Sequence, residues 1–120
     1  MHRFRRLEVW HEAVDLAARI YELTKGYPSD ERYGLTTQMR RAAISVSSNI
    51  AEGAGRGSSK EVARFLRVAI GSICELESQI EVSRKLGFAD DVEGLLSEAT
   101  LLKVRIKTLE NSFLTPDRKP

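Results

Sequence analysis

Glu8-Val9-Trp10-His11 is a Glu-x-x-His pair, the spacing with which one helix turn presents a carboxylate and an imidazole to a metal. A dinuclear site in a helical bundle needs two such pairs and two further inward carboxylates, and the only other histidine is His2. Cys74 is the only cysteine, too few for a thiolate zinc site or for an intrachain disulfide. No metal and no cofactor is expected. Cys74 lies in sequence among Ile70, Ile73 and Ile80, where a thiol without a neighbouring base reads as a small buried hydrophobe rather than a nucleophile. Glu75, Glu77 and Glu81 gather three carboxylates on two helical turns, and Glu77 and Glu81 are one turn apart. Glu81 also precedes Lys85 by four, the spacing of an ordinary surface ion pair, so a solvated face or a subunit contact is favoured over an acid–base pair. No catalytic constellation emerges, and the chain is read as a non-enzyme.

The stretch Gly53-Ala54-Gly55-Arg56-Gly57-Ser58-Ser59-Lys60 invites comparison with a phosphate loop. It misses the required spacing, because Gly53 is followed five residues later by Ser58 and Gly55 by Lys60, and it follows a helix pattern rather than a strand. A helix-hairpin turn is the plainer reading, although free amides beside Arg56 and Lys60 could hold an isolated phosphate.

Arginines are the remaining chemistry. Residues 32–67 carry seven basic side chains, Arg32, Arg40, Arg41, Arg56, Lys60, Arg64 and Arg67, against Glu52 and Glu61, a local +5. Residues 68–117 carry five basic side chains against nine acidic ones, a local −4 within a chain whose net charge is +2. A basic surface built from Arg40, Arg41, Arg56, Lys60, Arg64 and Arg67 could meet the phosphates of RNA or DNA, with Phe65 as the one aromatic nearby. The same side chains could equally pair with acidic residues of the following helices, within or between chains. Both readings stand.

The elements that must position these residues are helical. Residues 7, 10, 14, 17 and 21 form one apolar alternation, and 9, 13, 16, 20 and 23 form a second beside it. Two seams exceed what one surface helix needs, so one face, with Val9, Trp10, Ala13, Leu16 and Ile20 as candidates, is left for a loop or a second chain. Gly26-Tyr27-Pro28 ends this helix, and Ser29 is the predicted N-cap of the next, with core stripe Leu35, Met39, Ala42, Val46 and Asn49/Ile50. A run of small residues over 42–49 predicts close helix packing, with Gly71-Ser72 opposite and Asn49 fixing register. Ser58 and Glu61 form a capping box for a third helix whose seam is Val62, Leu66, Ala69, Ile73, Leu76 and Ile80. Gly87 terminates it, with Phe88 folding back, and Asp90 with Glu93 offers a further box before a heptad seam at 92, 95, 99, 102, 106, 109 and 113. The whole predicts one domain over 1–120, all-α, an antiparallel up-down four-helix bundle. No run is apolar enough to span a membrane and the N-terminus lacks a secretory pattern, so a cytoplasmic location is expected.

Several motifs together resemble a known family. Phe4-x-x-Leu7-x-Val9-Trp10, Tyr27-Pro28, Tyr33-Gly34-Leu35-Thr36-x-Gln38-Met39-Arg40-Arg41-Ala42-Ala43 and Ser48-Asn49-Ile50-Ala51-Glu52-Gly53-x-Gly55-Arg56 are similar to bacterial four-helix-bundle proteins encoded in intervening sequences of large-subunit ribosomal RNA genes. Phe65-Leu66-x-x-Ala69-x-Gly71-Ser72-x-x-Glu75-Leu76-Glu77 extends the match, and His11 stands where glutamine would be usual. The resemblance implies a homopentameric up-down bundle in the bacterial cytoplasm. It also implies shared residues at Arg40, Arg41, Asn49, Glu52, Arg56, Glu75 and Glu77, without assigning their roles. A relative, the accessory protein of diversity-generating retroelements, is a similar basic pentamer that binds a reverse transcriptase and nucleic acid, so by analogy the partners here are a second copy, RNA or DNA, and a nucleic-acid enzyme. The alternative is an assembly module in which Glu75, Glu77 and the arginines serve only subunit contacts.

Overall fold

The computed structural model describes residues 2–115, with only the backbone of His2 and Phe4. Four helices follow one another, α1 (His2–Thr24), α2 (Leu35–Ala54), α3 (Ser59–Lys85) and α4 (Glu93–Leu114). A 3₁₀ turn at Ser29–Glu31 lies between the first two, and no strand occurs among the described residues. Each helix packs on its neighbours in the ring α1–α2–α3–α4, and the diagonal pairs make no close backbone contact among the described residues. This is the up-down bundle that the periodicities predict, an elongated body of 55 × 24 × 18 Å.

The core is the sum of the inward seams. Leu16, Ile20, Met39, Ile50, Leu66, Ile73, Leu76, Ile80, Leu102 and Ile106 are all fully buried, and each such side chain contributes about 1.5–3 kcal/mol on leaving water. The predicted seam of α3 is buried along its whole length, and that of α4 runs buried from Leu95 to Leu109 with Phe113 half-buried at its end. In α1 the inward seam is 9, 13, 16 and 20. Val9, Ala13, Leu16 and Ile20 are therefore covered by their own chain and Trp10 packs half-buried against the core, which removes them as a free outer face. The surplus face is the other alternation, where Leu7, Val14 and Tyr21 remain 38–52% exposed.

Other expectations are corrected by local geometry. Gly34, not Ser29, precedes α2, whose first amide is met by Glu31, its Oε1 accepting from Leu35 N at 3.1 Å. Ser58 does cap α3, its Oγ accepting from Glu61 N at 3.1 Å, whereas α4 starts from Val92 with no side-chain cap from Asp90. Asn49 spans no helix pair; its amide donates to Ser45 O and Oγ within α2, and Ser45 Oγ in turn meets Ser72 Oγ of α3 at 2.8 Å. Cys74 points outward and is exposed, one position past the buried Ile73.

The glycine that matters for packing is Gly53 rather than Gly71. A Cβ on Gly53 would lie 3.0 Å from Phe65 Cβ and 3.5 Å from Val62 O, so its absence lets the end of α2 lie against the start of α3. At Gly71 a Cβ would meet nothing within 4 Å. At the opposite end, Gly87 with φ +81° closes α3 in a Schellman turn, Phe88 N donating to Ser83 O and Gly87 N to Arg84 O. Phe88 then packs on Tyr27, the ring centroids 5.5 Å apart and the planes tilted by 53°, joining the α1–α2 and α3–α4 connections.

Two outcomes follow. In urea denaturation at one protein concentration, Gly53→Ala is expected to lower stability by about 1 kcal/mol, because overpacking outweighs the gain in helix propensity. Gly71→Ala, which meets no neighbour, is expected to raise it by about 0.5–1 kcal/mol; equal signs would contradict the packing assigned to Gly53. The Tyr27 hydroxyl is buried without a hydrogen-bond partner of good geometry among the described residues. Burial raises its pKa above the ordinary 10.0, and the adjacent Ser83 hydroxyl offsets this only in part. The unfolded chain thus loses this proton first, so the contribution is constant below pH 10 and stability falls as pH rises beyond it. Tyr27→Phe should flatten that alkaline loss and delete the latest component of the tyrosinate absorbance titration.

Candidate nucleic-acid interface

The antiparallel arrangement sorts the charges along the bundle's length. Ser45 meets Ser72 between α2 and α3, Arg67 meets Glu110 between α3 and α4, and Arg105 meets Glu12 between α4 and α1. A plane through Val14, Ser45, Ser72 and Val104 therefore divides the molecule into two ends. Among the described residues, the end holding the start of α1, the α2–α3 turn and the close of α4 carries nine basic side chains (Arg3, Arg5, Arg6, Arg56, Lys60, Arg64, Arg67, Arg105 and Lys107). Against them stand five acidic ones (Glu8, Glu12, Glu52, Glu61 and Glu110), so this end is net +4. The other end holds eight basic against eleven acidic side chains and is net −3. The sequence split into a basic middle and an acidic C-terminal half becomes a polarity along the long axis.

This sorting breaks up the surface predicted from sequence. Gly53 lies against Phe65, so Arg64 is level with the end of α2, about 18 Å along the axis from Arg41 at 1.5 Å per residue. Arg40 is not available to a ligand. Its Nε donates to Thr24 Oγ1 at 2.8 Å and its Nη2 to Tyr21 O at 3.3 Å, while the guanidinium lies 4.5 Å over the Tyr21 ring. The last turn of α1 has no basic residue of its own, and Arg40 supplies the positive charge that end of the dipole favours. Arg41 stays exposed in a polar groove with Gln38, Ser45, Ser72 and Glu75.

At the basic end, Arg67 Nε donates to Glu110 Oε2 at 2.9 Å, and Lys107 Nζ reaches the other oxygen at 3.2 Å. Glu110 is 1% exposed, so its carboxylate depends on these two cations for its burial. Arg56 pairs with Glu52 at 2.7 Å, and Arg64 pairs with both oxygens of Glu61 at 3.0 and 3.3 Å. The Arg64 guanidinium holds the Glu61 carboxyl below its ordinary 4.5, and Glu61 raises Arg64 in return. Both guanidiniums lie over the half-buried Phe65 ring, Arg56 at 4.7 Å and Arg64 at 4.6 Å. Lys60, Arg3 and Arg5 are exposed and pair with no carboxylate among the described residues. Sequence reasoning passed over Arg3, Arg5 and Arg6; three arginines within the first six residues are a signal, but only antiparallel packing carries them to the α2–α3 turn.

The glutamates predicted to cluster are dispersed. Glu77 accepts from Lys103 Nζ at 2.6 Å and Thr100 Oγ1 at 2.8 Å on α4, and it raises the Lys103 pKa. Glu81 pairs with Arg84 rather than Lys85, and Glu75 accepts from Gln79 Nε2 at 3.3 Å. Among the described residues no three His, Cys, Asp or Glu side chains converge as metal ligands, and no helix is long and apolar enough to cross a membrane.

Comparison with known proteins places this bundle among relatives. A crystal structure of a protein of unknown function from the S23 ribosomal protein family of Bacteroides thetaiotaomicron superposes with a TM-score of 0.82. It is 18% identical and covers 89% of this chain and 98% of its own, so the likeness is one of fold. No curated protein matches the chain. A model of the 23S rRNA-intervening sequence protein family matches residues 5–108, which takes in all of α2 and α3, the turn that carries Arg56 and Lys60, and most of α1 and α4. By that match the chain belongs to the 23S rRNA-intervening sequence protein family.

Proposed function

We propose that this protein is a non-enzymatic, self-associating four-helix bundle whose basic end binds RNA or DNA, alone or within a nucleoprotein partner. The observation that carries this reading is the end-to-end polarity, net +4 against net −3. Such a field attracts a polyanion to one end and repels it from the other. Lys60, Arg3 and Arg5 supply the cations left free by internal pairing, and phosphate contacts by such side chains release counterions. Self-association is supported by exposed apolar side chains, Leu7, Val14 and Tyr21 on the outer face of α1 and Ile44 on α2. The family resemblance points to a pentamer and to the cytoplasm.

A second reading, an assembly module without nucleic acid, is favoured by the groove holding Arg41 and Glu75. Arg41 has no acidic partner there among the described residues. Under it, Glu75→Arg lowers the mass in light scattering, and Arg41→Glu added to it restores the oligomer.

Binding is tested with a structured ribosomal RNA fragment over a salt series. Affinity is expected to fall steeply with salt, and Arg3→Ala, Arg5→Ala and Lys60→Ala together should reduce the log–log slope by about 2–3. Arg32→Ala with Arg41→Ala, at the acidic end, should change affinity less than about twofold. Binding insensitive to salt, or equal losses from the two ends, would remove the proposal.

A further inference from the structure

The α2–α3 corner gathers two guanidiniums around one aromatic ring, a feature that charge alone does not explain. Gly53 allows α3 to approach closely enough that Phe65 is held half-buried at the turn, its Cβ against the glycine. Over its ring lie the Arg56 and Arg64 guanidiniums, at 4.7 and 4.6 Å. Each guanidinium is fixed at its edge by a carboxylate, Arg56 by Glu52 and Arg64 by both oxygens of Glu61. Their side chains nevertheless stay 42% and 55% exposed.

That arrangement has a chemical consequence. The carboxylates cancel the two charges pairwise, so Arg56 and Arg64 are poor grips for a phosphate backbone. What they keep is planarity, since a guanidinium held at its edges and resting on an aromatic ring presents a delocalised plane. Duplex recognition draws on several free cations spaced along two backbones, whereas on the α2–α3 turn itself, among the described residues, Lys60 beside the α3 N-terminus is the cation without a carboxylate partner. Unpaired bases, by contrast, stack on aromatic rings and on arginine planes.

Building on the nucleic-acid reading above, we propose that this corner receives an unpaired base of a single-stranded segment. The base stacks on the platform of Arg56, Phe65 and Arg64, and the adjoining phosphate meets Lys60. The preferred ligand is thus a single strand or an unpaired loop rather than a regular duplex.

Fluorescence anisotropy with three labelled probes tests it: a single-stranded oligonucleotide of about ten nucleotides, its duplex, and an abasic strand with the same backbone. The single strand is expected to bind about tenfold more tightly than either control. Phe65→Leu, which keeps apolar volume without a π face, should bring the single strand down to the abasic level. Arg56→Lys with Arg64→Lys, which keeps the charges without the planes, should do the same, and it decides the matter if Phe65→Leu lowers the melting temperature. Lys60→Ala should weaken all three probes alike. An abasic strand that binds as well as the intact one, or a lysine pair that retains the full preference, overturns the base-stacking proposal and leaves the basic end as a simple phosphate surface. No binding of any probe at low salt overturns both.

Discussion

The close approach of α2 and α3 is the constraint on which the rest of the molecule depends. These two helices meet across small side chains, with Ala42, Ala43 and Val46 buried on one and Ala69 and Ser72 on the other. Ser45 and Ser72 share a hydrogen bond in the middle of the pair, and Gly53 yields to Phe65 at its end. Each of these contacts fixes register as well as distance, because a shift by one turn would set Phe65 against a residue that carries a Cβ. The register then decides which charges share an end of the bundle. A loose pairing of α2 and α3 would bury similar apolar area yet place no defined set of arginines together.

The outer helices are tied to this pair by polar contacts of graded depth. Arg40 reaches across from α2 to hold the last turn of α1, so the connection through Tyr27 is anchored at both Thr24 and Phe88. Glu110 does the corresponding work for α4, where a buried carboxylate faces Arg67 of α3. The two are not equal in consequence. Removing Arg40 leaves Thr24 Oγ1 still donating to Ile20 O, whereas removing Arg67 leaves a buried charge with Lys107 alone. Other bridges between helices, such as Arg19 to Glu98, Arg105 to Glu12 and Lys103 to Glu77, lie nearer solvent and contribute less.

Helix positions and inward faces were legible because the 3.6-residue period survives in α3 and α4 without interruption, and Gly87 marks its own turn by needing positive φ. The surplus seam of α1 was legible as a surplus but not as a side. Both alternations are apolar, and only the position of α2 decides that Leu7, Val14 and Tyr21 are the ones left uncovered. Charged residues fared worse. Glu110 stands four residues after the buried Ile106, inside the core arc, and its burial depends on Arg67, 43 residues away in sequence. Arg40 and Arg41 are adjacent, yet the 100° between them sends one to the α1 terminus and the other to an open groove. Cys74 next to Ile73 divides in the same way. Sequence shows such residues as clusters; only pairing partners from other helices divide them into structural and available groups.

Under the proposed function, polarity along the axis would also link assembly to binding. A closed ring of identical subunits relates each to the next by rotation about one axis, so bundles standing along that axis all point the same way. In the proposed assembly every subunit would then bring a net +4 to one face and a net −3 to the other. Repulsion within each face opposes ring closure, and burial of the apolar α1 face has to outweigh it. A polyanion lying across the basic face relieves that repulsion and releases counterions at each subunit it touches. An anion that bound the assembled state better than the separate bundles would shift the equilibrium toward assembly by the same coupling free energy with which assembly strengthened anion binding. In the proposed reading, self-association and nucleic-acid binding are two sides of one electrostatic linkage, the first drawing on the α1 face and the second on the cations that α1 and the α2–α3 turn bring to one end.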